Sequence, residues 1–344
     1  MTMNQIKDFI LKNIISAKKP KWKSVDKIKV AIAVNRNFTE KRWSNLLYGS
    51  TIPDTTNWEV IYCKKKIEVY RHFENADICF IFGIGDYMLR QVNPPKMIYF
   101  PTLGLDFLNN YTIPDKLTIE QPPPLSAQSI AEYCIAMAIM LTRNLHHSFE
   151  NRFDRKWKQS NIIPGSVVSI TQCKIGILGL GRVGKVIAEN FSKLGCEVLG
   201  CDLILPENKG VLSLFYPADK LLDFLENTDI LIISLPLNDS TKKIIDSRAI
   251  STLGKNKYLI NVSRGEIIDE AALLQALSSD NLKGAVLDVF ENEPLSRNSD
   301  WYYTNNTILT PHIAGNINLF VDEIQKDFVR KALAYSKKDL NKLS

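Results

Sequence analysis

The sequence predicts an α/β protein with two doubly wound parallel sheets. Three observations carry this prediction: apolar runs alternate with helical patterns in both halves of the chain, a proline-rich break separates the halves, and 344 residues suffice for two domains. Hydrophobic residues make up 45% of the chain and charged residues 23%, as is typical of soluble globular proteins.

In the first half, four apolar runs predict the strands of one sheet, at residues 29–34, 59–63, 78–82 and 97–100. Polar or helical segments separate these runs, as expected where crossovers join parallel strands. Residues 121–125 contain three consecutive prolines, which interrupt both helices and strands, so we expect the first half to end there.

The second half begins with a strongly apolar helix from residue 127 to about 144, for which Ser126 is the expected N-cap. Six predicted strands follow, at residues 175–178, 197–201, 230–234, 258–262, 284–289 and 308–310. Their alternation with helical stretches indicates a doubly wound sheet. After residue 316, apolar residues at four-residue spacing predict a helix that returns to the first domain.

Composition and charge exclude several classes of function. The longest apolar run, residues 134–141, is too short to cross a membrane, and the net charge of +6 resides mostly in the termini, which favours solvated ends over nucleic-acid or membrane binding. The basic N-terminal segment lacks the apolar core of a secretory signal and predicts a helix on the first domain. Six cysteines without a Cys-x-x-Cys pair fit a reducing cytoplasm and predict no metal site.

A glycine-rich loop joins the first strand of the second half to a helix predicted at residues 182–194. Its members are Gly179, Gly181, Arg182, Val183 and Gly184. The glycines allow a tight turn, close approach of a pyrophosphate and close helix–strand packing, and the helix N-terminus attracts phosphate. Asp202 ends the next strand, where a carboxylate accepts hydrogen bonds from both ribose hydroxyls and repels a 2′-phosphate. NAD is therefore expected rather than NADP. The alternative interpretation of these residues is a structural glycine-rich turn followed by an ordinary surface aspartate, with no cofactor site.

Three motifs, at residues 261–265, 287–294 and 310–315, each lie where a predicted strand of the second half ends. That edge of an open α/β sheet faces the ligand crevice. The planar fork of Arg264 matches a carboxylate, and the His312 imidazole suits proton transfer near neutral pH. A carboxylate such as Glu293 would fix the tautomer of that imidazole. Taken singly, such an arginine or histidine is more often a surface or structural residue.

Together the loop and the three motifs resemble the D-isomer-specific 2-hydroxyacid dehydrogenase family. The resemblance implies an NAD-dependent oxidoreductase that interconverts a small 2-oxo acid and its D-2-hydroxy acid by hydride transfer. Arg264 would bind the substrate carboxylate or carbonyl, with His312 as acid/base and Glu293 as its partner. It further implies a homodimer of two-domain subunits. A Rossmann cofactor domain would span residues 124–316, and a flavodoxin-like substrate domain residues 1–123 with 317–344.

The match is dense from about residue 126 to 316 and supplies further candidate residues. In addition to the glycine-rich loop and Asp202, the cofactor-binding candidates are Pro236, Thr241, Val262, Asp288, which would contact the nicotinamide amide, and Gly315. In the first half, Gly83, Ile84 and Gly85 could offer backbone N–H groups to a substrate carboxylate, or could form ordinary glycine turns. Ser234 stands where the family usually has histidine, Asn238 where it has threonine, and residues 316–318 replace the usual small-residue and threonine run.

Two alternatives share the fold. Formate dehydrogenases resemble this family but carry glutamine at the glutamate position, so Glu293 argues against them. An NAD-sensing regulatory or scaffold protein, similar to the C-terminal-binding co-repressors, would also retain the three motif residues, although the long disordered tail of those proteins is missing here. The motifs do not specify which 2-hydroxy acid is used.

Overall fold

The computed structural model describes residues 27–49, 55, 57–89, 94–102, 104–153, 155, 157, 167–204, 210–315 and 320–340. The expected N-terminal helix and the segment 316–318 lie outside these residues. The chain divides into two compact units, Met1–Pro123 with Ile317–Ser344, and Pro124–Asn316. They are called the first and second unit below.

The first unit is built on a five-stranded sheet in which all neighbouring strands are parallel, in the order β2-β1-β3-β4-β5. Its elements before residue 124 are β1 Ile28–Ala33, α1 Glu40–Tyr48, β2 Trp58–Cys63, α2 Lys66–Phe73, β3 Ile78–Phe80, α3 Asp86–Leu89, β4 Met97–Tyr99 and β5 Thr118–Glu120. This order is that of a flavodoxin-like doubly wound sheet, with the reversal between β1 and β3.

The second unit is built on a seven-stranded parallel sheet in the order β12-β11-β10-β9-β6-β7-β8. Its elements are α4 Ala127–Thr142, α5 Leu145–Phe153, β6 Lys174–Leu178, α6 Gly184–Lys193, β7 Glu197–Asp202, β8 Leu214–Pro217, α7 Leu221–Glu226, β9 Ile230–Ile233, α8 Ser247–Leu253, β10 Tyr258–Asn261, α9 Glu270–Ser278, β11 Gly284–Leu287 and β12 Thr307–Leu309. The order reverses at β6, as in Rossmann folds. Two doubly wound parallel sheets are therefore present, as the strand–helix alternation predicts.

Helix α10, Val321–Leu340, belongs to the first unit and covers one face of its sheet. Phe328 is fully buried, and its ring lies 5.5 Å from that of Trp43 and 5.3 Å from that of Phe80, centroid to centroid. The alternation along β1 explains the two faces: Val30 and Ile32 join this cluster, whereas Ala31 and Ala33 belong to the cluster on the opposite face.

A hydrogen-bonded network fixes α10 on the sheet. The hydroxyl of Tyr99 in β4 donates to Asp327 over 2.9 Å, and Lys331 lies 3.2 Å from the same carboxylate and 3.0 Å from that of Glu120 in β5. Arg330 donates to the other oxygen of Asp327 over 2.6 Å. Because Asp327 is nearly buried, these partners are what make its charge tolerable there.

Several local expectations were wrong. Ser126 does not cap α4 with its side chain, because its backbone is already helical (φ −78°, ψ −7°), whereas capping requires an extended residue. The helix ends at Thr142, before Asn144 enters the left-handed region at φ 53°. The predicted helix 182–194 begins only at Gly184. The edge strands β5 and β8 were not predicted, since half-buried strands carry no continuous apolar run.

Candidate functional site

The glycine-rich loop follows β6 and leads into α6. Each of its three glycines has a different steric reason for lacking a side chain. Gly179 has φ +94°, a left-handed conformation that favours glycine. A Cβ at Gly184 would lie 1.9 Å from the carbonyl oxygen of Gly179, so only glycine lets helix and loop pack this closely. A Cβ at Gly181 would meet no described atom within 4 Å, so this part of the loop is open to a ligand. Exposed Arg182 and half-buried Val183 complete the turn at the N-terminus of α6.

Asp202 lies at the end of β7, beside this loop. Its Oδ2 accepts a hydrogen bond from Leu180 N over 2.5 Å, and its Oδ1 accepts one from Leu203 N over 2.6 Å. Asp202 therefore joins the carboxyl ends of β6 and β7, and each carboxylate oxygen keeps a lone pair for a further donor. This is the chemistry that binding of two adjacent ribose hydroxyls requires.

The segment after β9 braces the glycine-rich loop from the other side. Ser234 Oγ donates to the carbonyl oxygen of Gly179 over 2.7 Å and would lie 2.7 Å from a Cβ at Gly184. Further along, Thr241 Oγ1 donates to the Pro236 carbonyl over 2.6 Å and accepts from Asn238 N over 2.8 Å. Pro236 and Thr241 are thus brought together, and Ser234 supports the loop through its hydrogen bond to Gly179.

Arg264 follows β10 on a turn organised by its neighbours. Fully buried Asn261 donates from Nδ2 to the Arg264 carbonyl over 2.9 Å and accepts from Ser263 N over 3.1 Å. The Arg264 guanidinium donates to the Ser263 carbonyl over 2.7 Å and is half-buried. Val262, the residue between, is half-buried directly after the strand. The planar fork of Arg264 is therefore held at the carboxyl edge of the sheet.

Glu293 and His312 come together as a hydrogen-bonded pair. His312 Nδ1 lies 2.8 Å from Glu293 Oε2, and Glu293 Oε1 accepts a hydrogen bond from Phe290 N over 3.0 Å. Since an ionised carboxylate can only accept, Nδ1 carries the proton in this pair, which leaves Nε2 to exchange a proton with a substrate. The His312 side chain is 51% exposed, so that nitrogen is within reach of solvent and ligands.

The residue expected to contact the nicotinamide, Asp288, is 2% exposed and makes four hydrogen bonds to the His312 turn. Its Oδ1 accepts from Thr310 Oγ1 over 2.5 Å and from Ile313 N over 2.8 Å, and its Oδ2 accepts from Ala314 N over 2.8 Å. Its carbonyl oxygen accepts from His312 N, also over 2.8 Å. Asp288 therefore holds this turn in place through hydrogen bonds. Its Oδ2 still has a lone pair that could accept one more hydrogen bond.

The remaining candidates lie at the expected strand ends. Gly315 follows the His312 turn, and a Cβ there would approach the Ile130 side chain to 3.3 Å. Gly83, Ile84 and Gly85 belong to the first unit, after β3 at the carboxyl edge of its own sheet. Gly83 is exposed, and a Cβ at Gly85 would lie 3.1 Å from the Tyr70 hydroxyl.

The sequence analysis assigned no role to Asn261, Thr310 or Tyr133, although they support the predicted residues. Asn261 and Thr310 lie in the motifs 261–265 and 310–315, and Tyr133 lies on the helix predicted from residue 127. The signal available for Asn261 was a polar residue ending a buried strand, at the position where side chains reach the ligand edge. Nothing in the sequence connects Tyr133 with Thr310, which are 177 residues apart.

The family model for the NAD binding domain of D-isomer specific 2-hydroxyacid dehydrogenases matches residues 135–314, more than half of the chain. The chain belongs to this family. This family consists of oxidoreductases that use nicotinamide cofactors. The matched range contains Arg264, Glu293 and His312.

Among curated relatives, the (S)-sulfolactate dehydrogenase of Chromohalobacter salexigens is 33% identical over 208 residues, which are 60% of this chain and 66% of that protein. Two solved structures show the same fold. The glyoxylate/hydroxypyruvate reductase of Sinorhizobium meliloti, in complex with NADP, has a TM-score of 0.75 at 22% identity, covering 92% of this chain and 96% of that one. The D-lactate dehydrogenase of Aquifex aeolicus, complexed with NAD and lactic acid, has a TM-score of 0.72 at 21% identity, covering 91% and 96%.

Two classes of feature are not found in the described part of the chain. None of its helices is both long and apolar enough to cross a bilayer. Among the same residues, His, Cys, Asp and Glu side chains form no group of three or more that could hold a metal ion.

Proposed function

We propose that this dehydrogenase interconverts a small 2-oxo acid and its D-2-hydroxy acid, with NAD as cofactor. The observation that carries the proposal is the 2.8 Å pair of His312 Nδ1 and Glu293 Oε2, within the range matched by the family model. A nicotinamide cofactor, when bound, supplies or accepts the hydride. The chain must supply what remains: a proton donor and acceptor, and a site for the carboxylate.

His312 serves as the acid/base. In oxo-acid reduction its Nε2 gives a proton to the oxygen on C2, and in hydroxy-acid oxidation it takes that proton back. The Glu293 carboxylate orients the ring and stabilises the imidazolium through Nδ1. Imidazole suits both directions because it exchanges protons near neutral pH.

Arg264 binds the substrate carboxylate or carbonyl. Its guanidinium offers several N–H donors in one plane, and its turn is fixed by the buried Asn261 amide. The backbone of Gly83, Ile84 and Gly85 is our candidate for a further substrate contact in the first unit. Fixing the substrate in this way converts a chance encounter into a defined geometry for transfer.

For the cofactor, we assign Gly179, Gly181, Arg182, Val183, Gly184, Asp202, Pro236, Thr241, Val262, Asp288 and Gly315. The open space at Gly181 and the N-terminus of α6 fit a pyrophosphate. The carboxylate of Asp202 is the reason to choose NAD, because its charge would repel a 2′-phosphate. The two solved structures described above differ on this point, one holding NADP and the other NAD.

We further propose that the protein acts as a homodimer in a reducing cytoplasm. The six cysteines are all free and buried, which fits a compartment in which disulfides do not form. Light scattering on the purified protein at micromolar concentration gives the oligomeric state directly, and a monomeric mass would contradict the dimer.

The test of function is oxidation of NADH, and separately of NADPH, against a panel of 2-oxo acids. The panel contains glyoxylate, hydroxypyruvate, pyruvate, longer 2-oxo acids, 3-phosphohydroxypyruvate and 3-sulfopyruvate, with chiral analysis of each product. We expect turnover of at least one acid with NADH and a D-configured product where the product is chiral. Absence of turnover across the panel with both cofactors would refute the proposal, and preference for NADPH would refute its cofactor assignment.

A further inference from the structure

The Tyr133 side chain connects helix α4 to the His312 turn. Its hydroxyl lies 2.6 Å from Thr310 Oγ1, and Thr310 Oγ1 lies 2.5 Å from Asp288 Oδ1. The three groups form a continuous chain of short hydrogen bonds from a helix to a buried carboxylate. Tyr133 lies in the range that resembles the family, on the helix that begins the second unit, but outside the three motifs that carry Arg264, Glu293 and His312.

The direction of this chain follows from the donors available. The Asp288 carboxylate can only accept, so the single hydroxyl proton of Thr310 is used toward Asp288. Tyr133 must then donate to Thr310. Burial raises the pKa of the Tyr133 phenol, so it stays protonated and keeps its role as donor at any pH used for an assay.

The turn at the far end of the chain needs support. His312 has φ +56°, a left-handed conformation that costs a non-glycine residue free energy and persists only where surrounding contacts impose it. Here the contacts come from Asp288, which binds the N–H groups of His312, Ile313 and Ala314. Whatever fixes Asp288 therefore fixes the backbone from which the His312 imidazole reaches Glu293.

We propose that Tyr133 is a positioning residue for His312, acting through Thr310 and Asp288 to hold residues 310–314 in their left-handed turn. The proposal rests on the acid/base function assigned to His312 above. It predicts that a hydroxyl on helix α4, whose hydrogen bond goes to Thr310 rather than to the His312–Glu293 pair, is needed for the full rate of proton transfer.

The test compares Tyr133→Phe with Tyr258→Phe. Tyr258 is a second buried tyrosine of the same unit, and its hydroxyl has no hydrogen-bond partner among the described residues. We expect Tyr133→Phe to lower kcat for oxo-acid reduction roughly ten-fold, the scale of one lost hydrogen bond, whereas the Tyr258→Phe control keeps the wild-type rate. Thr310→Val breaks the same chain at its middle, so we expect the double variant Tyr133→Phe/Thr310→Val to lose no more than Thr310→Val alone.

Two readouts separate positioning from a general loss of stability. In a His312→Ala background, Tyr133→Phe should cause no further fall in kcat, because the group it positions is absent. A further ten-fold fall there would show that the hydroxyl acts elsewhere and would overturn the proposal.

The second readout is amide hydrogen exchange at Ile313 and Ala314 in the protein without substrate. We expect Tyr133→Phe to accelerate this exchange about ten-fold, and Tyr258→Phe to leave it unchanged. Equal exchange in Tyr133→Phe and wild type would overturn the proposal, as would faster exchange with an unchanged kcat. A wild-type protein that turns over no 2-oxo acid would instead contradict the proposed function, and the exchange measurement would still decide whether Tyr133 holds the turn.

Discussion

Gly265 lies directly against the peptide bond that follows Phe290. A Cβ at residue 265 would be 2.0 Å from the Phe290 carbonyl carbon and 2.1 Å from Glu291 N. These are backbone atoms, which cannot move aside as a side chain could. The turn that carries Arg264 and the turn that carries Glu293 are therefore in contact only because residue 265 lacks a side chain.

Gly265→Ala should accordingly separate the two turns and lower kcat/KM by about 100-fold, the cost of misplacing a reacting group by about 1 Å. The adjacent Glu266→Ala substitution also places an alanine in this turn but only shortens an existing side chain, so it adds no atom to the contact and serves as the control. Steady-state kinetics together with the melting temperature measure both effects. Near wild-type kcat/KM for Gly265→Ala would show that the contact is not needed.

His312→Ala should lower the rate of oxo-acid reduction by roughly 100-fold or more, because general acid catalysis is lost. Binding of NADH, measured by fluorescence titration, should change little. A variant that reduces the acid at nearly the wild-type rate would exclude His312 as the acid/base.

Glu293→Gln should lower kcat by about ten-fold, since the neutral amide cannot stabilise the imidazolium charge. The matched control is Glu291→Gln, two residues away, whose side chain is exposed. Stopped-flow reduction of the preferred oxo acid compares the two variants. Equal rates in both would mean that the 2.8 Å contact between His312 and Glu293 does not contribute to catalysis.

Asp202→Ala should narrow the preference for NADH over NADPH, because it removes the charge that repels the 2′-phosphate. It also removes the acceptor of the Leu180 N–H, so affinity for NADH should fall as well. Asp202→Asn keeps an acceptor oxygen while losing the charge, and should bind NADH more tightly than Asp202→Ala does. Dissociation constants for both cofactors test this, and equal affinity of the wild type for NADH and NADPH would refute it.

Acid should destabilise the first unit through Asp327. Burial alone would raise the pKa of this carboxyl, but hydrogen bonds from Arg330, Tyr99 and Lys331 outweigh it and lower the pKa below its ordinary value of 3.8. The stabilisation is complete above that ordinary value and is lost as the pH falls through the lower folded value. Urea unfolding of Asp327→Asn should thus depend less on pH below about 4 than that of wild type. If the free energies of unfolding of Asp327→Asn and wild type changed equally with pH, the lowered pKa of Asp327 would be contradicted.

The parts of the site that the sequence predicts are those defined by local patterns. They are the glycine-rich loop, Asp202, Arg264, Glu293 and His312. Each of these lies at or beyond the carboxyl end of a parallel strand, and such ends meet at one edge of a sheet. That is why residues far apart in the chain could be expected together. The contact of Glu293 with His312 could be expected on this basis alone.

The supporting contacts could not be predicted, because they depend on distances between elements rather than on spacing within one. Tyr133 lies on a helix that the sequence predicts as strongly apolar, and its contact with Thr310 depends on how that helix packs against β10 and β11. Ser126 shows the same limit at short range. Its residue type favours capping, yet it lies in a turn closed by the hydrogen bond from Ala127 N to Pro124 O, where its backbone is helical and side-chain capping is not possible.

The position of helix α10 at the C-terminal end of the first unit affects the order in which the two units can fold during synthesis. Phe328 and Asp327 complete the core and the polar network of a sheet whose strands end at Glu120. During synthesis the β1–β5 segment must therefore wait, with Trp43, Phe80 and Tyr99 uncovered, while the ribosome adds the whole of the second unit. At 5–20 residues per second that wait is of order 10 s or more. Such a nascent chain exposes apolar surface of the kind that chaperones bind. The second unit, in contrast, has all its strands available as soon as β12 emerges.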